Sequence, residues 1–111
     1  MLGCVILELT STDLDACVAL YVAVFTAPPW NESWHPQDAA QRLADFIATP
    51  RAVGVCMSDS DDGVLGFALG HLERFGSEDH FLLKEMCVRT VEQRHWHGTH
   101  LLGRVSHVER A

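Results

Sequence analysis

The amino-acid sequence predicts an α/β fold in which a mixed sheet carries helices on its faces. Near the start, a short apolar run leads into a segment whose apolar residues have helical spacing. In the middle, two apolar runs flank a polar turn that ends in glycine, and a third apolar run leads through a tight turn into another helically spaced segment. The predicted order is strand, helix, helix, strand, strand, strand, helix.

The first half contains one predicted strand and two predicted helices. The strand covers residues 4–9, and residues 10–13 supply hydroxyl and carboxylate groups that suit a helix start. The first helix has one apolar face, formed by Leu14, Cys17, Val18, Tyr21, Val22 and Phe25. Pro28 and Pro29 cannot continue it, whereas Pro36 suits the first turn of a second helix that ends before Pro50. The apolar stripe of this second helix is Ala39, Leu43, Phe46 and Ile47.

The second half is predicted to consist of three strands and a helix. Residues 52–58 and 64–72 flank a turn at 59–63 and form an antiparallel hairpin, and residues 74–79 form a polar loop. The third strand, at 80–89, is apolar on both faces, as in a strand that helices cover from both sides. From Gly98 onward the helically spaced apolar residues are Leu101, Leu102, Val105 and Val108.

Length and charge limit the possible functions. The 111 residues suffice for one domain, at 1–111. Eight basic and fifteen acidic side chains give a formal net charge of -7, which disfavours nucleic-acid binding because that binding depends on basic side chains that neutralise phosphates.

The cysteines and apolar stretches predict a cytoplasmic protein without a membrane span. The longest apolar stretch, residues 16–25, is shorter than the roughly 20 residues that span a bilayer. The four cysteines are widely spaced, and no secretory signal precedes them, so we expect buried, reduced thiols. They are Cys4, Cys17, Cys56 and Cys87.

A candidate phosphate site follows the third of the late strands. A strand that leads through a tight turn into a helix presents unpaired backbone N–H groups and the positive end of a helix dipole. Residues 83–89 and 93–102 resemble the acetyl-CoA-binding motif of GNAT acetyltransferases, whose pattern is Gln or Arg, two variable residues, Gly, one variable residue, then Gly or Ala. Residues 25–34 and 64–70 are also similar to bacterial members, so the resemblance covers essentially the whole chain.

This resemblance, to bacterial members of the small-molecule or aminoglycoside type, implies an N-acetyltransferase that transfers an acetyl group from acetyl-CoA, as co-substrate, to an amine of a small molecule or of an aminoglycoside-like cation. It implies a GNAT-like sheet opened by a splayed strand, with the pantetheine arm of acetyl-CoA pairing along Met86, Cys87 and Val88. The pyrophosphate is then expected on the backbone amides of the following turn, formed by Gln93, Arg94, His95, Trp96, His97, Gly98 and Thr99.

Glu85 is the candidate catalytic residue, because glutamates on this strand act as bases in some members of the family. The alternative is that Glu85 and its neighbour Lys84 reach solvent or pair with each other, and apolar alternation does not decide which way Glu85 points. Trp30, Glu32 and Trp34 occupy the loop that lines the acceptor pocket in the family, where aromatic walls and a carboxylate would suit a cationic amine. The tryptophans could equally pack that loop onto the core.

Two departures from the family pattern support an alternative function. Trp96 stands where the motif has its central glycine, a position where positive φ would cost a residue with a Cβ roughly 1–2 kcal/mol. The chain also ends with the helix after the turn, whereas the family continues with further strands and a helix. The alternative is therefore a truncated, catalytically inactive GNAT remnant acting as an interaction or structural module, with a possible homodimer through the exposed edge of the strand at 80–89.

Histidines are dense near the end of the chain, at His95, His97, His100 and His107. His97 and His100 could share a helix face and bind a metal. No cysteine lies near them in the sequence, and we therefore predict surface histidines and no metal.

Overall fold

The structure, a computed structural model, describes residues 4–59 and 63–89, with side chains from Glu8 onward. Four strands form one sheet in the order β1-β2-β3-β4, and every neighbouring pair is antiparallel. The strands are β1 (Cys4–Glu8), β2 (Ala52–Asp59), β3 (Gly63–Phe75) and β4 (Glu78–Val88), and the helices are α1 (Leu14–Phe25) and α2 (Pro36–Ile47). The α/β class and the order of these elements are confirmed, while the predicted helix after Gly98 lies outside the described residues.

The starts of both helices follow from local sequence. Before α1, the Asp13 carboxylate accepts hydrogen bonds from the backbone N–H of Thr10 at 2.9 Å and from its hydroxyl at 3.2 Å, which stabilises a 3-10 turn at Ser11–Asp13. Pro36 is the first residue of α2, where its missing N–H costs nothing because that group would have no partner inside the helix. Both starts confirm the predictions.

Both helices pack on the same face of the sheet. Tyr21 of α1 and Leu43 of α2 are buried in one core cluster with Phe67 and Leu69 of β3 and Cys87 of β4. The predicted apolar face of α1 omitted two residues that are buried, Leu20 and Val24. A second cluster lies on the opposite face of the sheet and contains Val55, Met57, Leu65, Ala68 and Val88.

The predicted polar loop at 74–79 is wrong. β3 continues to Phe75 and β4 begins at Glu78, so a two-residue turn with Gly76 at φ +65° joins the strands. Cross-strand contacts explain why polar residues remain in strands here. Arg74 lies opposite Asp79 and pairs with it at 3.4 Å, and Phe75 stacks on His80 with ring centroids 5.2 Å apart.

A β-bulge in β4 reverses the direction of its side chains. Leu69 of β3 lies opposite Glu85, but the next residue, Gly70, lies opposite Leu83, so Lys84 has no partner in the ladder. Before the bulge, odd-numbered residues such as Leu83 share the face of the second cluster. After it, Glu85 shares the face of α1 and α2, because a shift of one residue exchanges the two faces.

The prediction that helices cover β4 on both sides is wrong for most of the strand. Only Cys87 and Val88, at its C-terminal end, are buried, and Leu83 is 43% exposed. β4 is an edge strand of the described sheet, and the β3–β4 hairpin becomes more exposed toward its tip.

Cys17, Cys56 and Cys87 are buried free thiols, as predicted, while the side chain of Cys4 is not described. Among the described residues, no helix has the length and apolar character that a membrane span requires.

We expect Gly70→Ala to destabilise the fold by about 1–3 kcal/mol, a cost typical of overpacking. A Cβ at this position would lie 2.1 Å from the backbone carbonyl oxygen of Leu82 and 2.5 Å from Cζ of Phe81, and a backbone atom cannot rotate away. Urea denaturation measures the change. Gly76→Asn is the control, because its site has open space and Asn tolerates positive φ. Equal stability of Gly70→Ala and the parent chain would contradict the packing described here.

Candidate active site

A cleft of about 450 Å³ lies between the C-terminal end of α1 and the C-terminal end of β4. This volume is within the usual range of small-molecule sites, about 300–1,000 Å³. Six of the seven residues that line it are apolar or weakly polar, and one is a carboxylate: Val24, Phe25, Trp30, Met86, Cys87, Val88 and Glu85.

The loop after α1 holds Trp30 at the cleft. The backbone N–H of Asn31 donates to the carbonyl of Ala27 at 3.0 Å, and that of Glu32 donates to the carbonyl of Phe25 at 2.8 Å, so the loop folds back on the helix end. The ring of Phe25 meets that of Trp30 edge-on, with centroids 5.3 Å apart. Trp30 remains 41% exposed, so a bound molecule could bury more of its indole.

Glu85 is held by both helices. Its Oε2 accepts a hydrogen bond from the Tyr21 hydroxyl of α1 at 3.2 Å and from Nε of Arg42 of α2 at 3.1 Å. Only 13% of the Glu85 side chain is exposed. Both bonds go to Oε2, and Oε1 has no hydrogen-bond partner within the described residues. One oxygen is therefore fixed in position while the other remains available.

Aromatic rings position Arg42. Its guanidinium carbon lies 4.9 Å from the ring centroid of Phe46 and 5.9 Å from that of Trp34, both distances typical of cation–π contacts. Hydrogen bonding to Glu85 and proximity to Tyr21 raise the pKa of Arg42 against the opposing effect of burial, so it stays charged. The negative charge of Glu85 is thus compensated by a fixed positive charge.

Tyr21 and Cys87 are neutral at physiological pH. Burial, followed by the nearby charge of Glu85, raises the pKa of Tyr21 to about 12, while Arg42 acts in the opposite direction. Burial, followed by the charge of Glu85, raises the pKa of Cys87 to about 12, so its thiol is an apolar part of the cleft wall rather than a nucleophile.

The structure brings together five of the residues singled out in the sequence. Trp30, Glu85, Met86, Cys87 and Val88 all line the cleft. Their roles in catalysis and binding remain predictions. The other predicted cofactor-binding residues, 93–99, lie outside the described residues.

Glu32 and Trp34 do not line the cleft. The indole N–H of Trp34 donates to Oε1 of Glu32 at 2.7 Å, and its ring packs edge-on against Tyr21 at 5.1 Å. The alternative that a tryptophan packs the loop onto the core therefore describes Trp34, and substrate binding by Glu32 and Trp34 remains a prediction.

Sequence reasoning did not identify Tyr21 and Arg42 as site residues. The helical spacing places Tyr21 on the core face of its helix, and no motif contains Arg42. The available signal was Arg42 itself, a lone cation close to the apolar stripe of α2, which suggests a charged partner on the surface that the stripe covers.

No family model and no curated protein matches the sequence. Solved structures do match its fold. A GNAT family acetyltransferase from Staphylococcus aureus superposes with a TM-score of 0.73 at 10% sequence identity. The match covers 98% of this chain and 79% of the acetyltransferase chain. An aminoglycoside 6'-N-acetyltransferase from Acinetobacter baumannii superposes with a TM-score of 0.70 at 13% identity, and the match covers 97% of this chain and 72% of that chain. A possible acetyltransferase from Clostridium difficile superposes with a TM-score of 0.75 at 11% identity, and the match covers 95% of this chain and 70% of that chain.

The chain has the GNAT acetyltransferase fold. In this GNAT fold, the cleft opens beside the C-terminal end of β4, the segment in which the sequence motif begins. The part of the chain that the structure describes contains no group of three or more histidine, cysteine, aspartate or glutamate side chains placed to hold a metal ion. The four clustered histidines lie outside that part.

Tyr21 is the only tyrosine in the chain, so the absorbance of its phenolate reports this site directly. We expect the folded protein to titrate with a midpoint near pH 12, and the urea-unfolded chain with one near pH 10. Because the folded pKa is the higher one, the hydroxyl stabilises the fold fully below pH 10, and this contribution is lost as the pH rises toward 12.

Two substitutions should move this midpoint in opposite directions. Glu85→Gln removes a nearby negative charge and lowers the pKa of Tyr21, whereas Arg42→Gln removes a positive charge and raises it. Circular dichroism checks that each variant is folded during the titration. A midpoint near pH 10 in the folded parent chain would show that Tyr21 is not buried beside Glu85.

Proposed function

We propose that the chain is an acetyl-CoA-dependent N-acetyltransferase that acetylates an amine of a small molecule in the cytoplasm. The observation that carries this proposal is Glu85, whose Oε2 is fixed by Tyr21 and Arg42 while Oε1 has no described partner beside the cleft. The GNAT fold supports the reaction class, because acetyltransferases share this architecture with the chain.

The reaction requires a neutral amine and a proton acceptor. The amine nitrogen forms a bond to the acetyl carbon of acetyl-CoA, the carbon–sulfur bond breaks, and the thiolate of CoA leaves. The nitrogen must lose a proton, and we assign its acceptance to Oε1 of Glu85, directly or through a water molecule. The hydrogen bonds to Oε2 restrict rotation of the carboxylate, so Oε1 is positioned before the substrate enters.

The C-terminal end of β4 suits the donor. Met86, Cys87 and Val88 line the cleft, so the pantetheine arm can lie along this segment of β4, beside the buried Cys87 thiol. β4 is the last strand of the described sheet, next to β3. We assign the pyrophosphate to the backbone amides of residues 93–99 on the sequence motif alone.

The same edge favours a second candidate function, an inactive module that pairs with another chain such as its own copy. Leu83 is 43% exposed on β4, and an apolar edge strand can add a strand from another molecule. The bulge at Lys84 opposes this, because a bulge and an exposed lysine interrupt a continuous ladder.

Acetyl-CoA at 100 times its Kd should raise the free energy of unfolding by about 2.7 kcal/mol, measured by thermal denaturation. Glu85→Gln should keep this stabilisation but lower kcat by about 10²–10⁴-fold, because it removes the proton acceptor and not the donor site. The rate is measured as CoA thiol released with benzylamine, glucosamine and spermidine as trial amines. Glu78→Gln, at the opposite end of β4, is the matched control and should retain the rate. No stabilisation by millimolar acetyl-CoA would exclude the enzyme.

Trp96→Gly separates the enzyme from the inactive module. If Trp96 blocks the phosphate position, the glycine variant should gain acetyl-CoA affinity by about 5- to 30-fold, the change that relief of 1–2 kcal/mol of backbone strain in the bound state corresponds to. Isothermal titration calorimetry compares the two chains. If neither chain binds acetyl-CoA and light scattering shows a dimer, the interaction module is supported instead.

A further inference from the structure

The chemistry of the cleft restricts its acceptor, and this inference rests on the proposed function. We propose that the acceptor is a small monoamine with an aromatic or branched apolar group, and not a polyhydroxylated polycation. The combination of lining residues, charge compensation at Glu85 and cleft volume carries this inference.

The described wall offers little polar recognition. Glu85 is its one carboxylate, and the Cys87 thiol is protonated. A sugar-like acceptor would lose water from several hydroxyl groups on entry, and each unpaired hydroxyl costs about 1–3 kcal/mol. An apolar substituent carries no such cost and gains from the burial of its own surface.

The charge of Glu85 is already compensated. Nε of Arg42 at 3.1 Å and the Tyr21 hydroxyl at 3.2 Å both bind its Oε2, so the carboxylate does not add a net negative charge for an incoming cation. Glu32, a carboxylate on the loop after α1, is exposed and accepts a hydrogen bond from the indole N–H of Trp34. Each additional ammonium group of a polyamine would therefore be buried without a counter-charge among the described residues.

Trp30 and Phe25 provide the surface for the apolar group. They meet edge-on at 77° and form one aromatic wall of the cleft, and the exposed 41% of Trp30 is free to contact a ligand ring. The volume of about 450 Å³ must also hold the acetyl end of the donor, which leaves room only for a small acceptor.

The test compares equilibrium binding of benzylamine and spermidine by isothermal titration calorimetry, without acetyl-CoA. Benzylamine should bind at least about tenfold more tightly than spermidine, a difference of about 1.4 kcal/mol. Trp30→Ala should weaken benzylamine binding by about tenfold. Phe75→Ala is the matched control, because Phe75 is also an exposed aromatic residue but lies at the hairpin tip, outside the cleft.

Arg42→Gln provides a second test, in which the preference of the cleft between benzylamine and spermidine should change. Loss of the guanidinium leaves the Glu85 charge uncompensated, so spermidine affinity should rise relative to benzylamine affinity. Circular dichroism verifies that the variant is folded. If the variant does not fold, the comparison of benzylamine and spermidine binding in the parent chain still decides the proposal.

The outcomes distinguish this inference from the proposed function. Spermidine binding as tight as benzylamine binding, or no saturable benzylamine binding, overturns the apolar monoamine. Acetylation of spermidine together with weak benzylamine binding would retain the enzyme and reject this acceptor. Benzylamine binding that needs Trp30, without acetyl transfer, would retain the acceptor site and reject the enzyme.

Discussion

The site depends on one carboxylate that joins three elements distant in the sequence. Glu85 of β4 meets Tyr21 of α1, 64 residues earlier, and Arg42 of α2, 43 residues earlier. The contact joins both helices to an edge strand, in addition to the ladder with β3 and the burial of Cys87 and Val88. Because Glu85 is mostly buried, removing Arg42 would leave a buried charge without compensation. The loss of folding free energy in such a case is larger than the stabilisation that a surface ion pair provides.

This contact requires the bulge at Lys84. With regular alternation from Leu83, Glu85 would share the face of Val55 and Ala68, among buried apolar side chains that offer no described cation. The bulge instead places Glu85 beside Leu69 on the helix face. A local irregularity in the backbone thus determines whether this carboxylate is an isolated charge in a core or a positioned group in a cleft.

Sequence reasoning was most reliable where a short segment determines its own structure. The Asp13 carboxylate before α1 and Pro36 in α2 act within a few residues, and both predictions were confirmed. The prediction of a loop at the hairpin tip was wrong because Arg74 and Asp79 are residue types common in loops, and their pairing with each other across the strands is not visible in the sequence. Tyr21 and Arg42 could not be assigned to the site for the same reason: their significance depends on Glu85, and no local pattern links the three residues.

The ion pair that stabilises this junction also limits the chemistry of the cleft. A free carboxylate in an apolar pocket would attract cations and retain an amine in its protonated form, which cannot attack a thioester. Compensation by Arg42 reduces that attraction, while the unbonded Oε1 can still accept a proton from a neutral amine. In the proposed reaction, binding and proton removal are thereby assigned to different groups: affinity to the aromatic wall of Phe25 and Trp30, and proton acceptance to the carboxylate. Under this proposal, an apolar acceptor gains binding energy without drawing on the group that must take its proton.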